Sequence, residues 1–240
     1  MKSLLLFLLP LVAFAQQITI GIQDRPCDFV PGNNNLALDF GGFCKYEAAN
    51  LALRQDTANR VIYFGDSITE MWGKNIPGLD QTDTINRGYS GQTTSQMRVR
   101  FRADVIKLKP RIVHIMAGTN DIAGNTGPTT LERIKDNIRS MCEDAQMHGI
   151  RVVIGSVLPA KVFSWRPGMK PAENIRLFNQ WLKTYAQNSG FTYADYYSAM
   201  VDSEGGLPAS SSTDGVHPTP VGYAIMQPIA IQAINEANRK

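Results

Sequence analysis

Five short apolar runs, each followed by turn-forming residues and a stretch of helical periodicity, restrict this chain more than any other feature. They cover residues 61–64, 84–86, 112–116, 152–157 and 191–194. The clearest, Val-Val-Ile-Gly-Ser-Val from Val152, does not alternate apolar with polar side chains. A strand that is apolar on consecutive positions is buried on both faces, which is the habit of parallel sheets covered by helices. Helical periods at 46–55, 95–108, 130–148, 173–188 and 221–238 supply the covering layers. Lys109-Pro110 ends one of them; Thr129 or Thr130 can cap the next and Gly149 can stop it, while Gly190 closes another. The expected fold is a three-layer α/β/α sandwich over residues 46–240. At 240 residues and 43% hydrophobic content, one domain with an ample core is the default.

The charge balance sets aside one class of function. A formal net charge of +3 with no dense Lys/Arg cluster is not a nucleic-acid footprint. Arg98, Arg100, Arg102, Lys107 and Lys109 are expected on a solvated helix face. Residues 1–15 read as a signal peptide: Lys2, a leucine-rich run too short to span a bilayer, Pro10, and the small-x-small Ala13-Phe14-Ala15. Cleavage after Ala15 would leave Gln16, not a lipid-accepting Cys, and a secreted or periplasmic protein without a membrane span. Residues 16–45, rich in Gly and Asn, read as an N-terminal extension. In an oxidising compartment Cys27 and Cys44 are expected to pair across it, and Cys142, inside an apolar helix, to be a buried free thiol. No Cys/His spacing suits zinc.

In a parallel sheet the reactive groups collect beyond the carboxyl ends of the strands. Gly65-Asp66-Ser67-Ile68-Thr69 follows the first run. It could present a nucleophilic hydroxyl at a helix start, or merely a helix cap. Asn86-Arg87-Gly88-Tyr89-Ser90-Gly91 follows the second; Gly91 could aim an amide at a developing oxyanion, or simply turn the chain. Gly118-Thr119-Asn120-Asp121 follows the third, and Asn120 could add a side-chain donor or be an ordinary turn residue. Asp214-Gly215-Val216-His217-Pro218 precedes the last helix. There a carboxylate three residues from an imidazole could hold it as a general base. His114 lies mid-strand and His148 at a helix end, so His217 is the candidate base.

Taken together and in order, GDSIT, NRGYSG, GTND and DGVHP resemble the four motif blocks of the SGNH (GDSL) hydrolases, over most of the chain from Arg60 onward. The resemblance implies a flavodoxin-like sheet of about five parallel strands. It also implies ester hydrolysis without metal or cofactor. It assigns Ser67 as nucleophile, Asp214 and His217 as its partners, and Ser67, Gly91 and Asn120 as oxyanion donors. Gly91 is chosen over Gly88 because the family's glycine falls five residues after an Asn, here Asn86. The stretch 86–121 with Gly155 to Ala160 is similar to the platelet-activating-factor acetylhydrolase branch, whose bacterial members often deacetylate plant polysaccharides. The expectation is a secreted esterase for short acyl groups, chiefly acetyl on glycans, with Trp72 and Trp165 as candidate substrate contacts. A lipolytic esterase, a lysophospholipase or a thioesterase on the same scaffold is the alternative. A catalytically dead glycan-binding module is the alternative of another class.

Overall fold

The computed structural model describes Cys27 and residues 39–53, 58–73 and 83–240. The expected signal peptide and most of the expected extension lie outside those residues. Five strands form one sheet: β1 (Val61–Gly65), β2 (Thr84–Gly88), β3 (Ile112–Met116), β4 (Arg151–Gly155) and β5 (Thr192–Ala194). Their order is β2-β1-β3-β4-β5 and every pairing is parallel. This is the doubly wound arrangement that the sequence pattern implies. The register sets Gly65 opposite both Gly88 and Met116, so three strands end level with one another.

The helices are α1 (Glu47–Leu51), α2 (Ser67–Trp72), α3 (Thr94–Asp104), α4 (Thr119–Ile122), α5 (Leu131–Met147), α6 (Ala172–Asn188), α7 (Tyr196–Met200) and α8 (Pro220–Arg239). The period expected over 95–108 breaks in two. Val105 leaves helical geometry, a single 3₁₀ turn follows at Ile106–Leu108, and Lys109 takes a left-handed φ of 47° before Pro110. Thr130 caps α5 through its hydroxyl and Gly149 (φ 71°) stops it, as the sequence suggested. The first helix is shorter than the expected 46–55.

Alternate strand residues feed two cores. Ile62 and Phe64, Val113 and Ile115, and Val152 and Ile154 pack with α3, α5 and α6. Tyr63, Ile112, Met116 and Val153 pack with Trp72 of α2, Tyr196 of α7 and the small side chains of α8. Cys142 is buried in the first core as a free thiol, its ionisation pushed up by desolvation. Cys27 and Cys44 are bonded, with Cα atoms 5.2 Å apart.

One expectation about charge is corrected. Arg98, Arg102, Lys107 and Lys109 are exposed, but Arg100 is fully buried. Its guanidinium pairs with Asp104 at 2.9 Å, donates to the Gly65 carbonyl at 3.2 Å and lies 4.2 Å from the Phe64 ring centre. A charge survives burial only when paired and hydrogen-bonded, and here the partner stands one helical turn away.

Candidate active site

Gly65 ends β1, and the chain turns at once into α2. Asp66 is the N-cap; its Oδ1 accepts the Ile68 amide at 3.0 Å, which fixes Ser67 as the first helical residue. A Cβ at Gly88 would lie 2.1 Å from the Glu70 amide, so β2 and α2 touch backbone to backbone. Asn86 joins the same two elements, donating to the Thr69 carbonyl at 2.9 Å.

Ser67 Oγ lies 2.9 Å from His217 Nε2, across 150 residues of sequence. His217 Nδ1 lies 2.6 Å from Asp214 Oδ2. Since the carboxylate can only accept, the ring proton sits on Nδ1, and Nε2 is left bare to accept the Ser67 hydroxyl. The other oxygen, Asp214 Oδ1, accepts from the amides of His217 (2.7 Å) and Val216 (2.9 Å) and from the Ser212 hydroxyl (3.1 Å). Partial burial alone would raise the Asp214 pKa, but the bonds from the His217 ring and the backbone outweigh it and bring it down to about 2. A bridge between Ser212 and Pro218 closes the loop, and Thr219 caps α8.

Three further groups are the sequence-derived oxyanion donors. The amides of Ser67 and Gly91 donate to no other described residue. Gly91 has φ 79°, a conformation that favours glycine, and a side chain there would point into open space. Asn120, at the second position of α4, is 5% exposed. Its Nδ2 donates to the Gln92 carbonyl at 3.0 Å and stands 3.5 Å from Asp66 Oδ2. Asp66 itself is buried, and desolvation raises its pKa to about 6. Asp121 is raised to about 6 for the same reason; it holds the Thr94 amide (2.8 Å) and hydroxyl (2.5 Å) and so ties α4 to α3.

The two tryptophans part company. Trp72 is 1% exposed, stacked on Tyr223 at 5.6 Å and edge-on to Tyr63, so the expectation that it flanks a substrate is corrected: it belongs to the core beneath α8. Trp165 is 39% exposed, with one face on Phe163 at 5.0 Å and its indole N–H on Asn125 Oδ1 at 3.0 Å. His114 is buried on β3 against Tyr196, its pKa pushed down to about 3 by desolvation, and His148 contacts Asp144 at the end of α5.

Glu70 is a residue that sequence reasoning missed. Its Oε2 accepts both the amide and the hydroxyl of Ser90, each at 2.6 Å, and its Oε1 pairs with Lys45. Burial would raise its pKa, but these partners lower it. The turn carrying Gly91 is thus tied to α2 from one side. From the other side it meets residues 41–46. Gln92 donates to the Gly41 carbonyl at 2.9 Å, Lys45 lies 4.1 Å from the Tyr89 ring centre, and the Tyr46 hydroxyl donates to the Gly88 carbonyl. The available signal was an acidic residue three positions after Ser67, one helical turn along.

The family described as GDSL-like lipase/acylhydrolase matches residues 63–225, a span containing all four motif blocks. The chain belongs to this family. Among solved structures, this GDSL-like chain is similar to an acylhydrolase candidate from Bacteroides fragilis: 42% identity, 82% of this chain and 98% of the other, TM-score 0.79. An acetylxylan esterase from Geobacillus stearothermophilus shares the fold at 18% identity, over 74% of this chain and 94% of the other, TM-score 0.59. A curated relative, the uncharacterized lipoprotein YqeF of Bacillus subtilis, is 36% identical over 80 residues, 32% of this chain. The match spans about a third of that relative's length. Among the described residues of this GDSL-family protein, no helix is long and apolar enough to cross a membrane.

Proposed function

We propose that the protein is an exported serine esterase that removes short acyl groups, chiefly acetyl, from the hydroxyls of carbohydrates. One observation carries the reading: the unbroken line from Asp214 through His217 to Ser67, at 2.6 and 2.9 Å. His217 takes the Ser67 proton as Oγ attacks the ester carbonyl. The amides of Ser67 and Gly91 and the Asn120 side chain hold the oxyanion, the contribution that usually dominates in acyl transfer. His217 then protonates the departing alcohol, and water repeats the sequence on the acyl-enzyme. Asp214 stays ionised throughout and steadies the imidazolium as it forms. No metal or cofactor takes part in this scheme.

Trp165 supports the carbohydrate part of the proposal. An indole with one face packed on Phe163 and the rest at the surface is a platform for a sugar ring. Export rests on the signal-peptide pattern of residues 1–15, with cleavage after Ala15. The test is hydrolysis of p-nitrophenyl acetate, butyrate and octanoate, alongside acetate release from acetylated xylan, by wild type and Ser67→Ala. Activity that falls with acyl length, frees acetate from xylan and disappears in Ser67→Ala is the expected result. A preference for octanoate with no release from xylan would move the assignment to a lipolytic esterase. Full activity in Ser67→Ala would remove the triad assignment altogether.

A further inference from the structure

Of the three oxyanion donors, Asn120 alone can present the wrong atom. The Ser67 and Gly91 amides are fixed by the backbone, but a side-chain amide turned by half a rotation offers oxygen in place of N–H. Something must decide which end faces the serine. Asn120 Oδ1 accepts from Asn125 Nδ2 at 2.7 Å. Asn125 Oδ1 in turn accepts from Trp165 Nε1 at 3.0 Å. An indole N–H can only donate. Trp165 therefore demands the oxygen of Asn125, which commits Asn125's NH₂ to Asn120, which commits Asn120's oxygen to Asn125. Asn120's NH₂ is then left facing the Gln92 carbonyl and Asp66, the residue that immediately precedes Ser67. The Asn125 amide, ambiguous by itself, is fixed by the indole, and it reinforces at Asn120 the orientation that the Gln92 carbonyl, an acceptor only, also favours.

The relay is held by its backbone as well. The Asn125 amide donates to the Asn120 carbonyl at 3.0 Å, closing the turn after α4. Arg166, next to Trp165, donates to the carbonyls of Ala123 (2.9 Å) and Gly124 (3.0 Å), so the tryptophan's loop and the asparagine's loop are clamped together. We propose that Trp165 and Asn125 are positioning residues that set the polarity of the Asn120 amide, so that the ring offered to the substrate also orients a donor to the oxyanion. This deepens the esterase reading and rests on it.

Asn125→Asp and Trp165→Phe, measured on p-nitrophenyl acetate with kcat and KM separated, test the proposal. Asp at 125 keeps an acceptor for Trp165 but sets a carboxylate against Asn120 Oδ1, favouring the turned amide. We expect kcat to fall by at least about tenfold, approaching the roughly 100-fold worth of one oxyanion donor, with KM within about twofold. Trp165→Phe keeps the stack on Phe163 and loses only the donor, so a several-fold loss in kcat is expected. The double variant should be no worse than Asn125→Asp alone, because both act through one chain of contacts. Losses that multiply, or a change confined to KM, would overturn the relay, as would wild-type kcat in a folded Asn125→Asp. Should that variant fail to fold in a thermal melt, wild-type kcat in Trp165→Phe would overturn it instead. Ser67→Ala run in parallel separates the two ideas: an active Ser67→Ala sinks the esterase reading, and an inactive one with unaffected relay variants sinks only the relay.

Discussion

The two halves of the site are built in opposite ways. The acid–base half is a short loop near solvent: Asp214 and His217 are braced mainly by contacts within residues 210–219 and reach Ser67 through one hydrogen bond. The donor half is braced from many directions: Asn120 is buried, and the exposed Gly91 turn is tied down on several sides. Asn120 is held by Asn125 and Gln92; the Gly91 turn is held by Glu70, by Arg100 through Gln92, and by residues 41–46. The difference matches what the proposed mechanism asks of each half. An imidazole that takes up and returns a proton must tolerate a change of charge. Dipoles that stabilise a transient anion are useful only if they are already aligned when it forms.

The comparison can be broken at its most exposed point first. Asp214 Oδ1 accepts three donors, so an Asn at 214 would keep its oxygen there and turn its NH₂ toward His217. That would move the ring proton to Nε2 and deny Ser67 its base. Asp214→Asn should cost about 10⁴-fold in kcat with the melting temperature little changed, since tautomer rather than fold is lost. Steady-state kinetics beside a thermal melt would check it; a loss under about tenfold would mean that the carboxylate does not set the tautomer.

On the donor side the bracing is shared, so single losses should be smaller. Glu70→Ala frees Ser90 and unpairs Lys45; kcat should fall by around tenfold, since this is part of one donor's full worth. Cys27→Ser, which releases the segment further out, should cost less. An Asp214→Asn effect no larger than that of Glu70→Ala would erase the distinction between the halves.

The smallest effect concerns stability. Asp66 and Asp121 are each raised from 3.8 to about 6 by burial. A raised carboxylate keeps its proton in the folded protein where the unfolded chain has lost it. Folding is therefore favoured below about pH 4 relative to above pH 6, and stability declines through that window. The melting temperature should drop by roughly 5 °C between about pH 4 and pH 7, and Asp121→Asn should flatten the slope. A wild-type melting curve that rises over the same range would contradict the burial of these charges.

Much of the framework was legible because its signals are local. Apolar runs place strands wherever both faces are covered, and Gly149 and Gly190 mark helix ends by backbone chemistry alone. The Asp214–His217–Ser67 contact line could be anticipated because Asp214 and His217 are three residues apart and Ser67 directly follows a strand. The rest depends on what stands opposite, which a linear reading does not hold. Arg100 reads like its exposed neighbours until Phe64 and the Gly65 carbonyl are seen above it. Asn125 is one polar residue in a polar loop until Trp165, 40 residues away, lies against it. Trp72 was readable after all. Five residues turn a helix about 140° beyond a full turn, so it faces away from Ser67 toward the core.

The loop bridged at Ser212 and Pro218 carries acid and base as a single cassette. An insertion, deletion or graft there would move both groups as one body. Their mutual 2.6 Å contact would survive while the 2.9 Å reach to Ser67 lengthened. Damage to this segment would therefore leave a chain whose Asp214–His217 pair is intact and merely aimed elsewhere. Descent and engineering alike can exchange it as one short unit, provided the far end still meets the serine.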